Sequence, residues 1–275
     1  MTTPTLAFIG AGNMALSLIG GLIASGYDPN CLIASDPDTQ RCQSIGQRYG
    51  IACLNDNHQA VLKADMVVLA VKPQQLPEVC QALQPTIKTS TPLVLSIAAG
   101  VRSDDINRWL GDGQAIVRAM PNTPSLIQTG ASALYANAQV SPAQKDMAEH
   151  LMRSAGLTLW VDQETDLDTV TAVSGSGPAY YFLFMELMEK AAQSLGLDAK
   201  TAHLLTIQTA FGASKMALES TDSCQTLREK VTSPNGTTEQ ALAVFNKHHL
   251  DNTLLEAMQA ASQRAQTLAD EFGKA

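Results

Sequence analysis

Basic residues are scarce in this chain. Its 275 residues hold 18 lysines and arginines against 26 aspartates and glutamates, a net charge of −8, and no basic run. That excludes a phosphate-backbone surface, and with it nucleic acid as a partner. Aromatics make up 5% of the residues and are not interleaved with arginine or lysine, which excludes a base-stacking surface. The cysteines are five, an odd number without CxxC spacing. They predict free thiols in a reducing compartment, with neither a disulfide framework nor a metal site. The five histidines are scattered, and His248-His249, being adjacent, point apart on a helix and mark a solvated face. No apolar run approaches the ~18 residues of a membrane span, and no basic segment precedes the first apolar run as in a secretory leader. A cytoplasmic protein with no membrane partner is the expectation.

What is present is a regular alternation. Short apolar runs at residues 5–9, 31–34, 66–71, 92–97, 115–119, 130–135 and 157–161 predict strands, and amphipathic stretches of helical length separate most of them. Uninterrupted apolar strands alternating with helices predict an α/β fold, a doubly wound parallel sheet covered on both faces. The first run leads straight into Gly10-Ala-Gly-Asn-Met-Ala15 and then a helical pattern. Gly10 permits the tight turn, Gly12 lets backbone approach a pyrophosphate, and Ala15 stands for the third glycine. Asp36, at the end of the second run, takes the position of the acid that bonds the ribose hydroxyls. Ser35 and Arg41 would instead accommodate a 2′-phosphate, so NADH and NADPH are both open. Lys72 and Asn122 follow strand ends where such sheets bind ligands, and are cofactor candidates.

After about residue 162 the strand pattern stops. Residues 166–173, 179–195, 198–220, 223–231, 237–249 and 250–272 predict helices, the first two separated by Ser174-Gly-Ser-Gly-Pro178. Such a Gly/Ser/Pro break is either a structural kink or a place where a flat nicotinamide ring approaches backbone. The run 202–217 is apolar on more than one face, which predicts helix burial between two chains. Two domains follow: 1–162 binding a dinucleotide in Rossmann fashion, and an all-α 163–275 for dimerisation and substrate binding.

The most informative segment is Val231-Thr-Ser-Pro-Asn-Gly-Thr-Thr238, a turn breaking into a helix. Thr237 or Thr238 can cap it, and its N–H groups and hydroxyls together form a cradle for a carboxylate. Glu164 either faces the cleft, as a substrate contact, or is an acid at a helix start. No Ser-His-Asp or Cys-His set is suggested. A Ser-Gly-Ser-Gly-like segment also occurs in β-hydroxyacid dehydrogenases, but their acid/base lysine is missing, since no lysine lies between Lys145 and Lys190. Reducing a C=N bond asks for less, because a protonated imine is already electrophilic and needs chiefly alignment and an anion anchor.

Taken in order, Gly10-Ala-Gly-Asn-Met-Ala15, Ala70-Val-Lys-Pro73, Met120-Pro-Asn-Thr-Pro124, Ser174-Gly-Ser-Gly-Pro-Ala179 and the 231–238 segment with Ala241-Leu242 resemble the Δ1-pyrroline-5-carboxylate reductase family over essentially the whole chain. The resemblance implies hydride transfer from NADPH or NADH to L-1-pyrroline-5-carboxylate, giving L-proline, the last step of proline biosynthesis. It implies that Gly10, Gly12, Asn13 and Met14 hold the pyrophosphate. Asn57, Ala70, Val71, Lys72, Pro73, Ala98 and Ala99 would line the path from adenosine to nicotinamide. Ser233, Gly236, Thr237 and Thr238 would bind the substrate carboxylate, with Thr238 also beside the ring nitrogen as the catalytic hydroxyl. Homo-oligomers built from helical-domain dimers, often decamers, are implied too. Two positions depart from the pattern: Ser35-Asp36-Pro37 in place of the polar or basic pair of many NADPH users, and Ser220-Thr221 where some relatives carry a glutamate. The alternatives are a reductase of a six-membered cyclic imino acid and a dinucleotide-binding sensor without turnover.

Overall fold

A computed structural model describes residues 3–274. Two compact units emerge from the packing, the first comprising residues up to 176 together with those from 260 onward, the second residues 177–259.

The first unit is built on one eight-stranded sheet. Along the chain run β1 (Leu6–Ile9), α1 (Asn13–Ala24), β2 (Leu32–Ser35), α2 (Thr39–Tyr49), β3 (Ala52–Leu54), α3 (Asn57–Val61), β4 (Met66–Leu69) and α4 (Leu76–Ser90). Then come β5 (Leu93–Ser96), α5 (Ser103–Trp109), β6 (Ile116–Met120), β7 (Gly130–Ala136), α6 (Pro142–Arg153), β8 (Gly156–Trp160) and α7 (Asp166–Val170). The sheet order is β3-β2-β1-β4-β5-β6-β7-β8. Two cores follow from the period-2 alternation of the strands. Leu6, Phe8, Met66, Val68, Leu93 and Leu95 pack on one face, and Ala7, Ile9, Val67, Leu69 and Val94 on the other. Burial of both faces is why these strands read as unbroken apolar runs.

Three features correct the sequence reading. The sheet is mixed, because β7 runs antiparallel to β6 before β8 pairs parallel with β7. The connection from β6 to β7 is a short 3₁₀ turn (Thr123–Ile127), which permits a direct reversal but not a crossover. Strand β3 lies outside the seven predicted runs; it has three residues at the sheet edge, none fully buried, and so no apolar run to read. Finally, Cys42 on α2 and Cys53 on β3 form a disulfide, with Cα atoms 5.1 Å apart, in place of two free thiols. Their 11-residue separation carries no motif; α2 packing back on the edge strand brings them together. Cys31, Cys80 and Cys224 are free, and burial pushes the Cys80 thiol up to about 12.

The second unit is helical: α8 (Gly177–Ser194), α9 (Ala199–Glu219), α10 (Cys224–Lys230), α11 (Thr237–Lys247) and the start of α12 (Leu250–Phe272). The predicted break at Ser174-Gly-Ser-Gly is a π turn, Thr171–Gly175, joining α7 to α8. The end of α12 packs in the first unit. There Leu268 lies against Gly100, Phe272 against the second core, and Asp270 pairs with Arg102 at 2.6 Å. Packing thus groups 163–176 and the end of α12 with the sheet, whereas the alternation of strands and helices divides the chain after 162.

Candidate active site

Strand order reverses between β1 and β4, and open α/β sheets hold ligands outside the carboxyl ends of the strands at such a point. Gly10 follows β1 with φ +93°. A Cβ there would come within 2.9 Å of the Ala70 carbonyl oxygen and 3.0 Å of Val71, so only glycine lets the ends of β1 and β4 close up. Gly12 is different. A Cβ there would meet nothing within 4 Å, so no protein packing requires glycine, and the space above it is open to a ligand. Gly12 is also the N-cap of α1, without a side-chain cap and without an acid in the first turn. The N–H groups of that turn are offered outward, next to exposed Asn13 and half-buried Met14. An uncapped helix start behind an open glycine fits a pyrophosphate.

At the end of β2 the structure brings Ser35, Asp36 and Asn57 together. Ser35 Oγ donates to Asn57 Oδ1 at 2.7 Å. Asp36 is turned inward: Oδ2 accepts from the Ala11 N–H at 3.1 Å and from Arg41 at 3.5 Å, and Oδ1 accepts from the Asp38 N–H at 3.0 Å. Asn55 Nδ2 holds the Asp36 carbonyl at 2.8 Å. The sequence does not single out Asn55, because β3 has no apolar run and the Asn55-Asp56-Asn57 cluster therefore has no visible strand end to follow.

Farther along the edge, Lys72 is exposed at the start of a 3₁₀ turn (Pro73–Gln75) after β4, and Ala98 and Ala99 follow β5. Asn122 is buried at 9% exposure, and both ends of its side chain are hydrogen-bonded. Oδ1 accepts from the Ala131 N–H at 2.9 Å, and Nδ2 donates to the Ser174 carbonyl at 3.0 Å. Glu164 is likewise engaged. Its carboxylate accepts from the Ser103 N–H at 2.6 Å, the Ser103 hydroxyl at 2.7 Å and Arg118 at 2.8 Å. It therefore caps α5 and ties it to β6. Arg118 and Ser103 were not foreseen, since a lone arginine in a strand carries no sequence signal of its partner. Burial raises the Asp168 carboxyl above its ordinary value, opposed by Arg118 and Arg102 and reinforced by Glu164 and Asp270.

In the helical unit, Ser233-Pro234-Asn235-Gly236 forms the turn. Asn235 is left-handed at φ +59°, and the Gly236 N–H donates to the Ser233 carbonyl at 3.0 Å. A Cβ on Gly236 would meet that carbonyl oxygen at 2.9 Å and run into the Ser233 hydroxyl. The cap of α11 is Gly236 and not Thr237 or Thr238, and no side chain bonds the first-turn N–H groups. The two threonines occupy the first two helical positions, Thr237 exposed and Thr238 half-buried. Glu239 folds back onto the Asn235 N–H at 2.7 Å, fixing the turn. The result is a rigid helix start with bare N–H groups and adjacent hydroxyls, suited to a carboxylate. Among the described residues no cluster of metal ligands occurs.

Residues 164–268 match the family model described as pyrroline-5-carboxylate reductase dimerisation, and residues 5–100 match that of an NADP oxidoreductase, coenzyme F420-dependent. Over 274 residues the chain is 50% identical to the pyrroline-5-carboxylate reductase of Pseudomonas aeruginosa, covering 100% of both. Among solved structures it is similar to a pyrroline-5-carboxylate reductase from Coxiella burnetii, with 46% identity, TM-score 0.94, and 98% and 99% of the two chains covered. A Plasmodium falciparum pyrroline carboxylate reductase crystallised with NADP is 27% identical at TM-score 0.86, with 98% and 99% covered.

Proposed function

The chain belongs to the pyrroline-5-carboxylate reductase family, and from that premise we propose that it reduces the C=N bond of L-1-pyrroline-5-carboxylate with NAD(P)H to give L-proline. The observation that carries this reading is the start of α11, an uncapped helix turn with hydroxyls at its first two positions. A substrate with one carboxylate and one imine nitrogen, and no hydroxyl to deprotonate, needs such a cradle and no strong base.

In this reading Ser233, Gly236 and Thr237 bind the carboxylate through hydroxyl and N–H groups. Thr238 lies beside the ring nitrogen and hydrogen-bonds it as charge there changes. Bound NAD(P)H supplies the hydride to the imine carbon. The chain holds that cofactor with Gly10, Gly12, Asn13 and Met14 at the pyrophosphate and with Ser35, Asp36 and Asn57 at the adenosine ribose. Ala70, Val71, Lys72, Pro73, Ala98 and Ala99 line the way to the nicotinamide. Glu164 acts by positioning, because its oxygens are occupied by Ser103 and Arg118. Residues 1–162 carry the dinucleotide and 163–275 the substrate and the dimer contacts. The working assembly is a cytoplasmic homodimer unit, with decamers the next level of association. No helix among the described residues is long and apolar enough to cross a membrane.

The test is oxidation of NADPH and NADH, in parallel, by purified protein given DL-pyrroline-5-carboxylate. Rapid substrate-dependent turnover is expected, and the ratio of the two kcat/KM values reads the cofactor preference set around Asp36. Thr238→Ala is expected to lower kcat/KM about 100-fold with dinucleotide binding intact. Folded protein that binds dinucleotide yet turns over neither cofactor would sink the reading and send the search to a six-membered imine.

A further inference from the structure

Three alternate positions near the end of β6 face the segment between Glu164 and Ser176. Arg118 pairs with Glu164 at 2.8 Å, and the Met120 methyl group lies against Gly175, where a Cβ would approach it to 2.5 Å. Asn122 donates to the Ser174 carbonyl at 3.0 Å. The third contact answers a defect written in the sequence. In a continuing helix the Ser174 carbonyl would accept from the N–H of residue 178, but residue 178 is proline and has none. The π turn satisfies the Thr171 carbonyl through the Ser176 N–H at 2.8 Å. The Asn122 carboxamide takes the place of the missing donor. Its orientation is fixed by its other end, because the Ala131 N–H requires an oxygen there.

We infer that Asn122 is a positioning residue for hydride transfer: by replacing the donor that Pro178 lacks, it holds the Ser174–Ser176 backbone where the nicotinamide end of the cofactor is placed. The inference rests on the reductase reading. A dinucleotide with its adenosine at β2 and its pyrophosphate at α1 extends past β4 and β5 toward β6 along the ligand-binding edge. The π turn and the end of β6 belong to the same compact unit as that edge. Asn122 thus acts through backbone that it fixes, both ends of its carboxamide being bonded to backbone.

The test compares Asn122→Ala and Asn122→Asp with the unaltered chain. Three quantities are read: the dissociation constant for NADPH by fluorescence titration, kcat with pyrroline-5-carboxylate, and the deuterium isotope effect on kcat with NADPH labelled at the transferred hydrogen. A cofactor affinity within about twofold, a kcat lower by about 30-fold, and a larger isotope effect are expected, since misplacement slows the chemical step itself. Adding Pro178→Ala to Asn122→Ala restores an N–H for Ser174 and should recover part of kcat. The inference is overturned by unchanged kcat, by a loss of affinity that accounts for the loss of rate, by an isotope effect that does not rise, or by absence of rescue. Failure of both single variants to fold would make Asn122 a stability residue and overturn it as well. Absence of turnover in the unaltered chain would instead count against the reductase reading.

Discussion

The sheet unit and the helical unit bury their apolar residues by different means. In the first, β1, β2, β4 and β5 are buried along their whole length, and the helices around them supply the lids. In the second, α10 and α11 bury nothing within the chain, and α8 buries only Gly177. Phe182, Leu183, Leu187, Leu204, Leu205 and Phe211 are all at least half exposed. A helix with apolar residues on several faces is stable when other helices cover it. The sheet unit therefore carries its own core, whereas the helical unit completes its core by self-association, the role named by the family model that matches it. The loop proposed to bind substrate, at the start of α11, sits in the unit with the uncovered apolar faces, so the proposed activity is expected to require assembly.

The largest effect should come from attacking that dependence. Leu183, 55% exposed in the chain, is the target, and Leu183→Asp would place a charge on the exposed apolar face of α8. The self-association constant should weaken by about 100-fold or more, seen by sedimentation velocity, with activity lost at dilutions where the unaltered protein is still assembled. An assembly unaffected by the charge would mean that α8 does not face the partner. On the other side of the comparison, Gly10→Ala attacks a unit that needs no partner. It forces a left-handed φ on a residue with a Cβ and a contact with the Ala70 carbonyl at 2.9 Å. A loss of about 2–4 kcal/mol is expected from strain and contact together, by denaturant titration, along with loss of dinucleotide affinity. A loss below about 1 kcal/mol would show that the ends of β1 and β4 separate easily.

The contrast also explains what could be read from the sequence. Strands buried on both faces leave long apolar runs, and every predicted run became a strand to within a few residues. Strand β3 escaped because an edge strand of three residues has no such run, and Asn55 was hidden with it. The Cys42–Cys53 pair and the Arg118–Glu164 pair are meetings in space, created by packing, that no local spacing announces. The turn at 233–236 was legible because proline, asparagine and glycine act through their own backbones. Its cap reads as a threonine in the sequence because hydroxyl residues are favoured caps, whereas the structure places Gly236 there. Here the crowding at Ser233 leaves room only for glycine, and neither threonine serves as the cap.

Gly236→Ala sharpens the comparison from the helical side. The added methyl would meet the Ser233 carbonyl oxygen at 2.9 Å and displace the turn, which belongs to the helical unit. KM for pyrroline-5-carboxylate should rise about 10-fold while the NADPH dissociation constant stays unchanged. Equal losses in both constants would show that the two units do not divide the ligands as proposed.

The smallest effect concerns charge that the sheet unit has taken in with its core. The helical unit keeps pairs such as Glu186–Lys190 in solvent, whereas Asp168 is half-buried and its carboxyl is raised, first by burial, with Glu164 and Asp270 adding to the rise and Arg118 and Arg102 opposing it. A folded-state value above the unfolded one means that the folded chain binds more protons in that range, so this group favours folding at low pH. Its contribution is full below the unfolded value and is lost as pH rises through the folded one. At neutral pH the ionised carboxylate is therefore a burden on the folded state, although partial exposure keeps it small. Asp168→Asn should raise Tm at pH 7 by at most about 2 °C, and the advantage over the unaltered chain should vanish as the pH falls below that of ordinary carboxylates. A lower Tm at pH 7 would show the opposite balance, with the attraction of Arg118 and Arg102 outweighing the cost of burial.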